Sequence, residues 1–210
     1  MIPKIDICIL DYNTGNVGSI RNILRYIGFE STITRDKGDL LKASHLIIPG
    51  VGDFDSGMRN LINLELTSTL NYIAQIKKTP ILGICLGAQL MCKTSSEGSM
   101  SGLGWLDADV KSFADSPQSS NLALPNMGWR RVRPVKSSRV IEGLSAEEGF
   151  YFIHNFYMVS NDEDNILFTS YYGLEFTAML EKENLFAAQF HPEKSNKSGM
   201  KFLKNFIDKI

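Results

Sequence analysis

The stretch Pro80-Ile81-Leu82-Gly83-Ile84-Cys85-Leu86-Gly87-Ala88-Gln89-Leu90 constrains this chain more than any other segment. A short apolar run ends in Gly-x-Cys-x-Gly and passes at once into a helix-like stretch. Strand, sharp turn and helix with a nucleophile at the turn make a nucleophile elbow, here with sulfur in place of the serine oxygen. Gly83 and Gly87 leave room for a turn that larger side chains would crowd. The turn would lift the Cys85 thiol off a sheet, and a helix N-terminus beneath it would favour the thiolate, the reactive form. The competing reading is a buried structural cysteine.

The surrounding pattern supplies the sheet. Ile5 to Leu10, His45 to Pro49 and Ile81 to Ile84 read as buried strands. Val17, Ile20, Leu24 and Ile27 recur at helical spacing, with Gly28 as the stop. Helical character returns from about Gly57 to Lys77 and from Ala88 onward. Strands alternating with helices imply an α/β fold with a parallel sheet covered on both faces. The second half is richer in strands: Val110–Phe113, Arg131–Val135, Tyr151–Ile153, Ile166–Tyr171, Thr177–Leu180 and Phe186–Phe190. Ser112 to Asn121 reads as a polar surface loop, and a helix from about Lys197 to Ile210 closes the chain. Ligands of open α/β sheets sit beyond the carboxyl ends of the strands. Cys85, the Gly50–Gly52 turn and His191 all follow strands there.

With 210 residues the chain is read as a single domain, 1–210. A formal net charge of -1 gives no general pull toward nucleic acid or membrane. Three cysteines, Cys8, Cys85 and Cys92, argue against a disulfide framework and fit a reducing cytoplasm. No apolar stretch approaches membrane-spanning length, and Met1 to Leu10 is too short and interrupted for a secretory signal. A soluble cytoplasmic protein is expected. No His, Cys or carboxylate spacing resembles a metal site, so neither metal nor cofactor is expected.

A thiolate nucleophile needs a base. His45 and His154 read more readily as structural histidines. His191 stands in Phe190-His191-Pro192-Glu193-Lys194-Ser195, directly after an apolar strand. In extended chain residues i and i+2 share a face, so Glu193 would orient the imidazole while its other nitrogen faces Cys85. Pro49-Gly50-Val51-Gly52 offers backbone N–H groups to a developing oxyanion, and the N–H of Leu86 is the natural second donor. Alone, the glycine pair would be read as a strand-to-helix turn. The basic run Arg130, Arg131, Arg133, Lys136 and Arg139 reads by default as a solvated face, with partner docking or an anionic ligand as the minority reading. Cys92, about two turns beyond Cys85 on the expected helix, reads as core.

Together these motifs resemble the class I, triad-type glutamine amidotransferases. Gly-Ile-Cys-Leu-Gly-Ala-Gln is similar to their nucleophile segment and His-Pro-Glu to their catalytic pair. Within the class the resemblance narrows to the glutaminase subunits of imidazole glycerol phosphate synthase, in histidine biosynthesis. It extends over Asp11-Tyr12 with Gly15-Asn16, Pro49 to Phe54 with Gly57-Met58, Gly102-Leu103-Gly104, Asn126 to Trp129, Tyr151 to His154 and Gln189 to Ser195. The resemblance implies a three-layer, flavodoxin-like fold with a mainly parallel central sheet and extra strands in the C-terminal half. It implies Cys85, His191 and Glu193 as the triad, and Val51, Gly52 and Leu86 around the oxyanion. Gln89 and Glu97 match glutamine-contacting positions. Asn126, Trp129 and Lys194 match positions toward the partner, a (β/α)8-barrel synthase subunit that receives the ammonia in a heterodimer.

One departure concerns the partner. The family pattern Pro-His-Met-Gly-Trp-Asn reads Pro125-Asn126-Met127-Gly128-Trp129-Arg130 here. A paralogue feeding ammonia to a related barrel, for example in sugar amidination, is therefore the alternative. Further alternatives are a Cys-dependent hydrolase of esters or peptides, and a regulatory subunit without turnover.

Overall fold

A computed structural model describes residues 6–119, 122–144 and 149–210. Its elements, in chain order, are β1 (Ile7–Leu10), α1 (Val17–Tyr26), β2 (Ser31–Thr34), α2 (Lys37–Lys42), β3 (His45–Gly50), α3 (Phe54–Asn63), α4 (Thr67–Asn71), β4 (Ile81–Cys85), α5 (Leu86–Gln89), β5 (Thr94–Ser95), β6 (Ala108–Ser112), β7 (Asn126–Pro134), β8 (Gly149–His154), β9 (Phe156–Ser160), β10 (Ile166–Tyr172), β11 (Leu174–Lys182), β12 (Leu185–Ala188) and α6 (Asn196–Lys209). The sheet order is β2-β1-β3-β4-β12-β11-β10-β7-β8. From β2 to β12 every neighbouring pair is parallel; from β12 to β8 every pair is antiparallel. A side branch, β5-β6-β9, joins β11 through Met158 opposite Thr177. This is the expected α/β sheet with extra strands in the C-terminal half.

The central strands are buried throughout, successive side chains point to opposite faces, and each face has its own core. Leu46 and Ile48 of β3 and Ile81 of β4 pack with Phe54, Met58 and Leu61 of α3. Ile47, Leu82 and Ile84 point the other way, toward Ile20 and Leu24 of α1 and Phe202, Leu203 and Phe206 of α6. Strands covered on both faces carry continuous apolar runs because neither face meets water. Helix α1 follows its apolar spacing; Asn16 caps it by accepting from the N–H of Ser19, and Gly28 follows the end with φ +96°.

Several elements depart from expectation. The single helix expected over 57–77 is broken into α3, α4 and a π-helical turn at Tyr72–Ile76. The break falls at Glu65, whose φ of 53° takes the left-handed position that ends helices. The helix expected from Ala88 onward is the four-residue α5, which starts at Leu86. Cys92 lies beyond it, fully buried in the core. β2, α2, β5 and β9 were not expected. The polar loop expected over 112–121 begins with Phe113, which is fully buried against the rings of Tyr157 and Phe176. Ile5, Ser120 and Asn121 lie outside the described residues. Among the described residues, no helix is long and apolar enough to cross a membrane.

The close fit of α5 to the sheet explains the glycine spacing of the elbow. A Cβ on Gly87 would stand 1.8 Å from the carbonyl oxygen of Ile48, and one on Gly83 would stand 2.7 Å from Ala88 Cα. Neither obstacle is a flexible side-chain end, so α5 would have to lift off β3. Gly87→Ala is expected to lower the unfolding free energy by about 3 kcal/mol, the upper end for overpacking. Urea denaturation measures this; a loss below about 1 kcal/mol would mean that the helix moves freely.

Candidate active site

Strand register brings the site together. Gly50 pairs with Cys85 as the last rung between β3 and β4, so Val51-Gly52 and Leu86 leave the sheet side by side. On the other flank Ala188 of β12 pairs with Ile84, which carries the chain on through Gln189 and Phe190 to His191 beside the elbow. One cavity of about 300 Å³ is lined by Val51, Gly52, Cys85, Leu86, Gln89, Glu97, His191 and Lys194, and by residues 153–156 opposite. Eight positions singled out from the sequence thus share one wall-to-wall space.

Cys85 sits at φ 52°, ψ -112°. A non-glycine residue held there stores on the order of 1–3 kcal/mol of backbone strain. The sulfur is mostly buried, 3.9 Å from the carbonyl oxygen of Ile153 and 3.8 Å from Gln189 Nε2. What lies under it is one helical turn rather than a long helix, so the expected macrodipole support reduces to local N–H groups. Burial, then the charge of Asp109, pushes the Cys92 thiol well up, and burial, then the charge of Asp39, raises that of Cys8.

His191 is pinned at both ends of its backbone. Its N–H donates to Tyr151 O at 2.9 Å, and its carbonyl accepts from Ser195 Oγ at 2.6 Å. Glu193 Oε1 accepts from Nδ1 at 2.8 Å, with both side chains 3% exposed. The expected extended geometry is not what achieves this: Pro192–Lys194 form a 3-10 turn, started by the fixed φ of Pro192. With Nδ1 held, Nε2 is the nitrogen left for chemistry; it is buried and forms no regular hydrogen bond. Burial pulls the imidazole pKa down, but interaction with the Cys85 sulfur and the hydrogen bond to Glu193, with the negative charge of both, outweigh it and push it up to about 10. At neutral pH the ring therefore carries a proton it can deliver.

The oxyanion positions are less complete. Val51 N–H donates to Thr14 Oγ1 at 3.4 Å, and the Thr14 hydroxyl in turn donates to Val51 O. Both ends of this residue are engaged by Thr14, so Val51 N–H is not free for an oxyanion here. Gly52 has φ +104°, open to reorientation at no steric cost. Gln89 Nε2 donates to Phe156 O and Gln189 Oε1, both at 3.1 Å. Glu97 accepts from Phe54 N–H at 2.9 Å, and burial raises its carboxyl pKa.

The expected partner positions separate. Trp129 and Lys194 are exposed, and Met127 joins Trp129 on the open side of β7. Asn126 departs from that expectation, being fully buried. Its side chain bonds His154 Nε2 at 3.0 Å and accepts from Arg130 Nε at 3.1 Å. Gln189 was singled out only as part of the resemblance, yet its side-chain amide stands 3.8 Å from the sulfur; nothing in a lone glutamine before Phe-His-Pro-Glu signals that. His45 is buried away from the cavity, against Phe206. Among the described residues, no three metal-type side chains come together.

The family model for glutamine amidotransferase class-I matches residues 8–210. The chain belongs to this family. The class-I amidotransferase chain is 45% identical to imidazole glycerol phosphate synthase subunit HisH 2 of Methanococcus maripaludis, over 96% of this chain and 98% of the relative. It is 39% identical to the subunit of the same name from Pseudomonas aeruginosa, over 97% of this chain and 100% of the relative. Among solved structures, PurLQS from Thermotoga maritima superposes with a TM-score of 0.74 at 18% identity, covering 98% of each chain. A glutamine amidotransferase from the same organism gives 0.63 at 16%, over 97% of this chain and 83% of that one. These structures share the fold of the present amidotransferase.

His154 yields a pH prediction. Burial outweighs the hydrogen bond to Phe156 and lowers its pKa to about 3, well below the ordinary 6.5. As pH falls from about 6.5 toward 3, the unfolded chain gains a proton that the folded one refuses, so stability is lost across that window. Within it, each such proton contributes about 1.4 kcal/mol per pH unit. Replacing His154 by Gln is expected to flatten the denaturation free energy against pH by up to that slope. Equal slopes for the two proteins would refute the assignment.

Proposed function

We propose that this chain is the glutaminase subunit of an imidazole glycerol phosphate synthase, hydrolysing glutamine to glutamate and ammonia for a (β/α)8-barrel partner. The observation that carries the reading is Cys85 on a strained elbow, sharing one cavity with a buried His191–Glu193 pair. Near-full-length identity to two subunits of that name supports it.

The chemistry follows from the positions. The Cys85 sulfur attacks the side-chain amide carbon of glutamine, and the carbonyl electrons move onto oxygen. Leu86 N–H meets this oxyanion, and Val51 or Gly52 completes the site once the Val51 peptide is released from Thr14. His191, oriented by Glu193, passes its Nε2 proton to the leaving nitrogen as ammonia departs. Water then attacks the γ-glutamyl thioester while His191 accepts its proton, and glutamate leaves as the C–S bond breaks and the Cys85 thiolate is restored beside the protonated imidazole. Glu97 and Gln89 fit the polar end of glutamine. Free ammonia at neutral pH is mostly protonated and non-nucleophilic, so delivery into a docked barrel keeps it reactive. The exposed Met127 and Trp129, with Lys194 at the cavity mouth, form the docking face.

A second reading has its own observation. The two relatives from Methanococcus maripaludis are numbered, and the chain is 45% identical to HisH 2 against 39% to HisH 1. With the change to Asn126 and Arg130, this supports a paralogous barrel as the receiver of the ammonia, for example for sugar amidination. Co-purification of the barrel decides between them, since recovery of the histidine-pathway synthase removes the second reading.

With barrel and acceptor present, Cys85→Ala is expected to abolish glutamine-dependent ammonia release while Cys92→Ala retains it. Substituting His191 by Ala should lower kcat by about 10²–10⁴-fold. Persistent ammonia release from the Cys85 variant would end the thioester mechanism.

A further inference from the structure

Among the described residues, Glu97 is the one side-chain carboxylate on the cavity wall, and only one of its oxygens is engaged. Oε2 accepts from the Phe54 N–H at 2.9 Å, whereas no hydrogen bond of the described residues reaches Oε1. An ammonium group is the part of glutamine that an open carboxylate oxygen takes up. Where Glu97 stands therefore matters, yet residues 97–101 belong to no helix or strand. Their local bonds are few: Glu97 N–H donates to Ser95 Oγ at 3.1 Å and Gly98 N–H to Ser95 O at 3.4 Å.

Among the described residues, every hydrogen bond that ties 97–101 to another element ends on the first turn of α3. Asp55 takes most of them. Ser99 N–H stands 3.1 Å from each of its carboxylate oxygens, Met100 N–H donates to Oδ1 at 3.0 Å, and Ser99 Oγ donates to Oδ2 at 3.4 Å. The backbone N–H groups of Met100 and Ser99 hold the Asp55 carboxyl below the usual carboxylate range, so it is ionised at neutral pH. Gly98 permits the close approach: a Cβ there would stand 2.0 Å from Asp55 Oδ1 and 2.4 Å from its Cγ. The two sets of contacts run in opposite directions between the same two segments. The loop sends the Glu97 carboxylate to Phe54 N–H, and the next helical residue, Asp55, sends its carboxylate back to the N–H groups just beyond Glu97.

We propose that Asp55 is a positioning residue: by clasping residues 98–100 to the start of α3, it sets Glu97 Oε1 for the α-ammonium of glutamine. The identity of that substrate rests on the proposed function. Without the Asp55 carboxylate, the Glu97–Phe54 bond is the one hydrogen bond left between loop and helix, and a single such bond competes poorly with water. Met100 keeps its apolar seat on the core, so the loop shifts without unfolding the chain. Loss of the clasp weakens glutamine binding and leaves the chemistry at Cys85 in place, because the hydrogen bonds of the sulfur and of the imidazole go elsewhere.

Two measurements on the full chain test the clasp. Phe54 is the first residue of α3, and its N–H has no intrahelical acceptor, so its protection from hydrogen exchange reports the Glu97 carboxylate directly. Asp55→Ala and Gly98→Ala are each expected to speed exchange at Phe54 about tenfold, the scale of one hydrogen bond lost. With barrel and acceptor present, both variants should raise KM for glutamine about tenfold, as for one weakened charge-assisted hydrogen bond, while kcat stays within about twofold. Asp55→Asn keeps an acceptor oxygen and should hold KM within about threefold of the unaltered chain. Asp53→Ala removes the cap that accepts from Ser56 N–H but bonds no residue of the loop; it should lower stability and move neither readout. Unchanged exchange at Phe54 in both variants overturns the proposal, as does faster exchange with an unchanged KM. The proposed function fails separately, if the unaltered chain with its barrel turns over no glutamine while Phe54 exchanges as expected.

Discussion

Parallel pairing of β3, β4 and β12 in one register is the constraint on which the rest depends. The Gly50–Cys85 rung and the Ala188–Ile84 rung determine where three chain segments leave the sheet. Each exit carries one part of the chemistry: backbone N–H groups, a sulfur and an imidazole. A one-residue slip in any strand would reverse its faces and withdraw its contribution. The continuous apolar runs protect against that slip, because both faces are packed against helices. The cost of the strained Cys85 backbone is absorbed by the same packing.

The site is also a seam. Its floor comes from the parallel half of the sheet, whereas residues 153–156 on the facing wall come from β8, β9 and the link between them. Ser195 ties the two halves, accepting from Tyr151 N–H and donating to His191 O. The imidazole is thus held by a strand from one half while standing at the end of a strand from the other. A buried ionic pair such as His191–Glu193 survives only where geometry satisfies it closely.

What could be read from the residues was what is local. Gly83 and Gly87 signal a tight fit because their spacing around Cys85 has few other uses, and α1 announces itself by four apolar residues at helical spacing. His-Pro-Glu is legible for the same reason, although its 3-10 turn is not. The half-buried edge strand β2 and the six-residue α2 lack any apolar run or long period to betray them. The resemblance implies a partner-facing Asn126, but the side chain is buried and bonded to His154, 28 residues away. The engagement of Val51 by Thr14 spans 37 residues and involves a hydroxyl with no pattern around it. Contacts between distant polar groups are where reading by periodicity ends.

The seam has a consequence for how the protein comes into being. Gln189 and Cys85 are 104 residues apart in the chain, and the parallel strand that joins them, β12, is the last to be synthesised. During translation the sulfur therefore waits without its imidazole and without most of its cavity wall. Acid–base assistance arrives only when β12 docks beside β4. The topology itself thus makes hydrolytic competence depend on the docking of a strand that lies about a hundred residues beyond the sulfur.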